Sequence, residues 1–161
     1  MSIKVGDKLP AVNFKRLTSD GIKDVPVTEL TSGKKAVLFA VPGAFTPTCS
    51  ERHLPGFLEQ AANIKAKGVD VIACIAVNDP FVMKAWGKAS NAGDQLEILS
   101  DGNGEFTKAI GLELDASGFG LGMRSQRYAM VVEDGVVRTL LVEDVPTQAE
   151  KSSAEAILAA L

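Results

Sequence analysis

One stretch of the chain combines residue types that could carry out chemistry, "PGAFTPTCSERHLPGF" from Pro42 to Phe57. Its cysteine, Cys49, follows a proline-glycine turn and stands where the pattern becomes helical. In the first turn of a helix, unpaired backbone N–H groups and the positive end of the helix dipole stabilise a thiolate. Thr46 lies three residues earlier and could hydrogen-bond either the sulfur or a bound substrate. This arrangement is typical of a reactive thiol.

Two other interpretations of Cys49 fit the residue types. A free cysteine in a soluble protein often packs as a small hydrophobic side chain. His53, four residues after Cys49, could instead form the Cys-His dyad of a cysteine hydrolase, because helical residues at this spacing share a face. Such neighbours usually point alongside each other, which disfavours direct proton transfer.

Pro42 and Pro47 flank the loop and should fix its backbone and exclude water from the thiol.

The composition limits the classes of function. The chain has 161 residues, enough for one domain, with 46% hydrophobic and 23% charged residues. A net charge of −3 and a pI near 5.2 give no reason to expect nucleic acid or an anionic membrane as a partner. The N-terminal segment carries charges where a secretion signal would be apolar, and no uncharged stretch is long enough for a membrane span. We therefore expect a soluble, cytoplasmic protein.

The cysteine and histidine counts argue against a metal site. Two cysteines and one histidine are too few for a closed zinc site, which needs about four ligands of these types. Cys49 and Cys74 lie 25 residues apart without the pattern of a disulfide scaffold. This spacing fits a reducing compartment and two free thiols.

Apolar runs that are typical of buried strands alternate with amphipathic runs that are typical of helices. Strand patterns run from Lys35 to Val41 and from Val69 to Val77. Between them, apolar residues recur at helical spacing over 50–67, where Pro55 should kink the helix and Gly68 should end it. The pattern predicts strand, helix and strand around the candidate cysteine.

The remaining signals extend the same alternation. Asp79 should cap a helix that starts at Pro80, and Asp134-Gly135 should turn a hairpin. The other expected elements are a small hairpin over 13–27, a strand within 97–100, a helix from about Glu105, a Gly-rich loop over 114–125 and a last helix capped by Ser152 and Ser153. This order predicts an α/β fold with a central mixed β-sheet flanked by helices on both faces.

The whole cysteine stretch closely resembles the active-site signature of the peroxiredoxins, specifically the Prx5 or type II group. Three later segments resemble the same group in the same order: "GVDVIACIAVNDPFVMKAW", "ILSDGNGEFTKAIGL" and "GLGMRSQRYAMVVEDG". The resemblance therefore covers nearly the whole chain. It implies a single thioredoxin-like domain over 1–161 and a thiol-dependent peroxidase.

The family pattern Pro-x-x-x-Thr-x-x-Cys matches Pro42, Thr46 and Cys49, which makes Cys49 the peroxidatic cysteine by resemblance. The family's distant catalytic arginine best matches Arg127 in "RYAMVV", and Arg124 is a weaker match that would reinforce the positive field. The resemblance also implies that some neighbours bind substrate or support the active site, with His53 holding its structure rather than acting as the base. These supporting residues are Pro42, Gly43, Thr48, His53 and Arg124.

The implied reaction is attack of the Cys49 thiolate on hydrogen peroxide or an organic hydroperoxide, which leaves a sulfenic acid. Arg127, the Thr46 hydroxyl and the Cys49 backbone N–H could stabilise the negative charge on the leaving oxygen. No metal or organic cofactor is required. The alternative is a peroxide sensor or holdase-type protein that uses Cys49 as a redox switch.

Recycling of the sulfenic acid depends on a second thiol. Cys74 lies in a core-strand pattern, although some plant type II relatives with a cysteine at this spacing are described as forming an intramolecular disulfide. The C-terminal segment has no cysteine that could act instead. We therefore expect an outside thiol, either glutathione with glutaredoxin or thioredoxin, and keep Cys74 as the alternative. The resembled group also often forms dimers, so a homodimer is expected. Trp86 and its helical neighbours are interpreted first as helix packing, with a subunit contact as the alternative.

Overall fold

A computed structural model describes residues 2–161. Within this range the strands are β1 (Asn13–Thr18), β2 (Gly21–Pro26), β3 (Lys35–Val41), β4 (Val71–Ala76), β5 (Glu97–Ser100), β6 (Glu113–Asp115), β7 (Met123–Ser125), β8 (Tyr128–Glu133) and β9 (Val136–Val142). The α-helices are α1 (Val27–Thr31), α2 (Leu54–Ala66), α3 (Pro80–Ala89), α4 (Glu105–Ala109) and α5 (Ala154–Ala160). No helix in the described range is long and apolar enough to cross a membrane.

Seven strands form one mixed sheet in the order β2-β1-β5-β4-β3-β8-β9. The central strands β3, β4 and β5 are parallel, while β8 and β9 extend the sheet antiparallel to β3. After Lys35, β3 is apolar and buried along its whole length, as expected for a strand that is covered on both faces. The predicted central mixed sheet is confirmed.

Alternate residues of β3 face two separate hydrophobic cores. Val37, Phe39 and Val41 contribute to the core that contains residues of α2, α3 and α5. Ala36, Leu38 and Ala40 contribute to the core that contains residues of α1 and α4. Helices therefore cover both faces of the sheet, as expected for this fold class.

The helix that carries Cys49 begins at Pro47, slightly before the predicted start. The segment Cys49–His53 is a π-helical turn that leads directly into α2, and the Leu54 N–H donates to the Cys49 carbonyl. A proline in a regular helix lacks an N–H and clashes with the carbonyl four residues earlier. The wider turn just before Pro55 relieves this conflict, so the expected distortion takes the form of a π-bulge.

Both expected hairpins are present. β1 pairs with β2, and β8 pairs with β9 across Asp134 and Gly135, whose φ angles of 49° and 78° match a two-residue hairpin turn. The prediction of an irregular loop over 114–125 is wrong, because β6 and β7 form a two-stranded sheet around a short 3-10 turn. The sequence pattern also missed α1. These missed elements, α1, β6 and β7, are too short to show a hydrophobic period and carry no other local signal that marks them.

Candidate active site

Cys49 and Arg127 meet in the interior of the protein. Cys49 lies in the first helical turns after the loop that follows β3, and Arg127 immediately precedes β8. The Nη2 of Arg127 donates to the Sγ of Cys49 over 3.0 Å. Cys49 is fully buried and Arg127 is 2% exposed, so solvent screens this contact very little. The contact places a positive charge directly against the sulfur.

The buried guanidinium of Arg127 has no carboxylate partner. Within residues 2–161, every ion pair with a separation of 4.0 Å or less joins other residues. Its remaining contacts are neutral: Nε donates to the Pro146 carbonyl at 2.9 Å, and Nη1 contacts His53. A buried charge is costly unless it is paired. Besides the neutral acceptors, the Cys49 sulfur is the side-chain group that the described residues place against this charge.

The hydrogen bonds of His53 determine which ring nitrogen carries its proton. Arginine only donates, so Nδ1 must accept from the Arg127 Nη1 at 3.0 Å. A carbonyl only accepts, so Nε2 carries the proton and donates to the Ser152 oxygen at 2.9 Å. Burial and the Arg127 charge lower the pKa of His53 to about 3. The ring is neutral and its lone pair is engaged by Arg127, so it is not available as a base for Cys49.

Thr46 contacts the loop backbone rather than the sulfur. Its hydroxyl donates to the Gly43 carbonyl at 2.6 Å, and its backbone N–H points to the same oxygen at 3.3 Å. In this structure the hydroxyl hydrogen is directed at Gly43 and not at the sulfur, so of the two expected hydrogen-bond partners only a bound substrate remains a prediction. Its oxygen can still accept a hydrogen bond from a bound O–H group. Thr46 is half-buried and lines the pocket described next.

A mostly apolar pocket of about 330 Å³ opens beside the buried thiol. Arg127 both lines this pocket and contacts Cys49, so it connects the two. The pocket is lined by Pro42, Thr46, Pro47, Thr48, Leu114, Asp115, Ala116, Phe119, Leu121, Arg127, Pro146 and Thr147. A larger groove of about 490 Å³ beside α3 shares no lining residue with this site.

Several pocket residues have no signal in the sequence that marks them as functional. Leu114, Phe119 and Leu121 belong to the β6–β7 region, and Pro146 and Thr147 belong to the loop after β9. They reach the pocket only because these two segments fold over the start of the cysteine helix. An apolar side chain in an expected loop is otherwise an ordinary surface residue.

The other candidate residues hold the walls of the site together. Arg124 donates from Nε to the Leu121 carbonyl at 2.8 Å, and its Nη1 lies 3.5 Å from the Pro42 carbonyl. Arg124 therefore ties the β6–β7 region to the cysteine loop and has no hydrogen bond to Cys49. The Thr48 hydroxyl donates to the Thr147 carbonyl at 3.1 Å, which links the helix start to the loop after β9.

Cys74 lies on β4 in the same hydrophobic core as Cys49, and both thiols are free. It is fully buried and pairs in register with Phe39 of β3 and Ile98 of β5. Burial, with a smaller contribution from Cys49, raises the pKa of the Cys74 thiol well above its ordinary value. Within residues 2–161 no group of three or more His, Cys, Asp and Glu side chains could hold a metal ion.

Comparisons with known proteins identify the family of this chain. The Redoxin family model matches residues 4–158. The chain is 53% identical to chloroplastic peroxiredoxin-2E of Arabidopsis thaliana, over 99% of this chain and 70% of that protein. The crystal structure of reduced Prx3 of Vibrio vulnificus in complex with hydrogen peroxide has a TM-score of 0.93 and 58% identity, covering 98% of each chain. Peroxiredoxin 5 of Alvinella pompejana has a TM-score of 0.86 and 39% identity, covering 98% and 96%.

The chain belongs to the peroxiredoxin family, in its Prx5 or type II group. The thioredoxin-like fold expected from the resemblance is confirmed. This peroxiredoxin is a thiol-dependent peroxidase, an oxidoreductase, and Cys49 and Cys74 are the two thiols that its sequence offers.

Proposed function

We propose that this peroxiredoxin reduces hydrogen peroxide and organic hydroperoxides with Cys49 as the peroxidatic thiol. The proposal rests on the contact between Arg127 and the sulfur of Cys49. Arg127 is buried and forms no ion pair with a carboxylate in the described part of the chain. Cys74 lacks such a hydrogen bond and has a raised pKa, so it stays protonated at neutral pH. The apolar pocket lining suits the carbon chain of an organic hydroperoxide.

In the first step the Cys49 thiolate attacks one oxygen of the peroxide ROOH. An S–O bond forms, the O–O bond breaks, and the sulfur is oxidised to a sulfenic acid while RO⁻ leaves and takes up a proton to become ROH. The Arg127 guanidinium stabilises the charge that develops on the leaving oxygen. Thr46 accepts a hydrogen bond from the peroxide O–H, since its own hydrogen is donated to Gly43.

Recycling proceeds through a thiol from outside the chain, either glutathione with glutaredoxin or thioredoxin. The outside thiol condenses with the sulfenic acid, releasing water and leaving a mixed disulfide, and a second thiol then displaces Cys49. Cys74 is fully buried on a central strand, so a disulfide with Cys49 would require the start of the helix to unwind. Two free thiols fit a reducing compartment such as the cytoplasm.

The experiment that tests this proposal is intact-mass analysis after one equivalent of peroxide with dimedone, which traps sulfenic acids. We expect a dimedone adduct on Cys49 in the wild type and in Cys74→Ser. Cys49→Ser should form no adduct and should lose peroxidase turnover, whereas Cys74→Ser should keep it. In a contrary result, the wild type would lose mass by forming a disulfide, and a dimedone adduct would form only in Cys74→Ser. That result would mean that Cys74 resolves the sulfenic acid.

A redox switch is the second candidate, because a buried thiol beside an arginine would also be oxidised selectively. A switch needs only stoichiometric oxidation, so turnover of many peroxide equivalents with excess thiol separates the two functions. A cysteine hydrolase is disfavoured, since the His53 lone pair accepts from Arg127 and does not contact Cys49.

We also propose a homodimer. Phe45 is 55% exposed and Phe81 is 60% exposed, and a small pocket between the cysteine loop and α3 is lined by Phe45, Pro55, Leu58 and Trp86 among others. Exposed large apolar side chains, here on the cysteine loop and on α3, are common at protein contacts. Sedimentation analysis of Phe81→Asp should show a monomer. Phe119→Asp, which changes an exposed aromatic residue of the pocket beside Cys49, should leave the dimer intact.

A further inference from the structure

The loop between β9 and α5 supplies the site with three backbone carbonyl oxygens. Each accepts a hydrogen bond from a side chain close to the thiol. The pairs are Pro146 with the Nε of Arg127 at 2.9 Å, Thr147 with the Oγ1 of Thr48 at 3.1 Å, and Ser152 with the Nε2 of His53 at 2.9 Å. The conformation of this loop therefore controls the position of the arginine, the histidine and the helix start together.

Glu143, the first residue of this loop, is hydrogen-bonded to Ser152 near its other end. One carboxylate oxygen, Oε2, accepts from the backbone N–H of Ser152 at 2.6 Å and from the Ser152 hydroxyl at 2.6 Å. The backbone N–H of Glu143 donates to the carbonyl of Arg127 at 3.0 Å. The same residue is thus attached to Arg127 through its main chain and to the acceptor of His53 through its side chain.

The Glu143 carboxylate is buried without a salt bridge among residues 2–161. Glu143 is 6% exposed and Ser152 is fully buried. None of the ion pairs among residues 2–161 includes Glu143. The nearby Lys151 pairs instead with Asp144 on the exposed side of the loop. A buried carboxylate costs stability unless its hydrogen bonds compensate. Both groups that donate to this carboxylate belong to Ser152, whose carbonyl accepts the hydrogen bond from His53.

We propose that Glu143 and Ser152 are positioning residues for the peroxidase reaction, an inference that rests on the proposed function of Cys49. Glu143 holds the Ser152 peptide so that its carbonyl accepts from the Nε2 of His53. This bond keeps the proton on Nε2 and leaves Nδ1 to accept from Arg127. The guanidinium is then oriented with its Nη2 toward the sulfur of Cys49.

The test compares Glu143→Ala, Glu143→Gln and Ser152→Ala with the control Asp144→Ala, which removes an exposed carboxylate from the same loop. The first readout is the rate constant for oxidation of Cys49 by hydrogen peroxide. The second is the NMR spectrum of the ring nitrogens of ¹⁵N-labelled histidine. Its assignment is unambiguous because the chain has one histidine. Thermal unfolding is measured alongside, to separate a loss of stability from a change at the site.

We expect Glu143→Ala to slow oxidation of Cys49 by about tenfold, since the Ser152 donors lose their acceptor. The histidine spectrum should at the same time lose the signature of a ring protonated only at Nε2. Glu143→Gln keeps an acceptor oxygen and should retain more of the rate than Glu143→Ala. Asp144→Ala should match the wild type in both readouts.

The proposal is overturned if folded Glu143→Ala keeps the wild-type rate and histidine spectrum, whatever its melting temperature, or if Asp144→Ala is impaired equally. Should Glu143→Ala fail to fold, the milder variants decide: wild-type behaviour of both Glu143→Gln and Ser152→Ala overturns it, and a slower rate with an altered spectrum supports it. If wild type shows no peroxidase turnover, or Cys49→Ser retains it, the proposed function fails instead. The histidine spectrum still tests the Glu143 contact in that case.

Discussion

The Nη2 of Arg127 lies 3.0 Å from the Sγ of Cys49, although 78 positions separate the two residues. The register of the central sheet brings them together. Ala40, near the end of β3, pairs with Tyr128 at the start of β8, so the strand that leads to the cysteine loop ends beside the residue before β8. The antiparallel pairing of β3 with β8 therefore places Arg127 beside Cys49.

Replacing Arg127 should remove most of the peroxidase activity. Loss of one donor that stabilises transition-state charge costs about a hundredfold or more in rate, and we expect this for Arg127→Ala. Arg127→Lys keeps the charge but cannot donate to Cys49, His53 and Pro146 at once, so its rate should be intermediate. Stopped-flow measurement of Cys49 oxidation checks both. Arg138→Ala, an exposed arginine on β9, is the matched control and should leave the rate unchanged.

His53 should make the fold sensitive to acid. Its pKa is about 3 in the folded protein, against 6.5 without the influence of the structure. Between these values the unfolded chain binds more protons than the folded one, so stability falls as the pH drops from about 6.5 towards 3. The slope is at most about 1.4 kcal/mol per pH unit.

Denaturant unfolding of the wild type and of His53→Gln over this pH range measures that contribution. The wild type should lose stability on acidification more steeply than the variant. Asp101, whose pKa is raised mainly by burial, contributes in the opposite direction but is present in both proteins and cancels in the difference. Equal slopes would contradict a neutral, buried His53.

Phe119 should influence organic hydroperoxides more than hydrogen peroxide. It lines the pocket and is 87% exposed, so a substrate with a large apolar group can cover it. We expect Phe119→Ala to raise the KM for cumene hydroperoxide by about fivefold, the effect of roughly 1 kcal/mol of lost apolar contact. Hydrogen peroxide is the internal control and should react as with the wild type. Equal effects on the two peroxides would exclude this pocket as the site of the organic group.

Gly43→Ala should disturb the cysteine loop. A Cβ atom at this position would lie 3.1 Å from the Cγ2 of Thr46 and 3.2 Å from the Nη1 of Arg124. Crowding of this kind typically costs about 1–3 kcal/mol. Here it displaces Thr46, which lines the pocket, and Arg124, which ties the β6–β7 region to the loop, so both stability and the peroxidase rate should fall.

Gly56→Ala is the matched control for Gly43→Ala. Gly56 lies in α2, where an added Cβ atom would have nothing within 4 Å, and alanine is the better helix former by about 1 kcal/mol. This variant should be slightly more stable than wild type and fully active. If Gly43→Ala behaved in the same way, close packing at Gly43 would have no part in holding the site.

Local patterns were sufficient for several features. The aliphatic run of β3, the Asp134-Gly135 turn and the position of Cys49 in a first helical turn all followed from neighbouring residues. The short strands β6 and β7 did not, because three residues each are too few to show a period. Ser152 was expected to cap α5, yet only Ser153 does so, and Ser152 binds Glu143 instead.

The sequence by itself determined that a lone cysteine follows a buried strand at a helix start, and its resemblance to a family pointed to Arg127. Only the tertiary structure decided that Arg127 has no carboxylate partner among residues 2–161, that His53 carries its proton on Nε2, and that Thr46 donates to the loop backbone. The reason is physical. Local propensity depends on neighbours along the chain, whereas burial and hydrogen-bond partners depend on segments that meet only when the sheet and the loop after β9 are assembled.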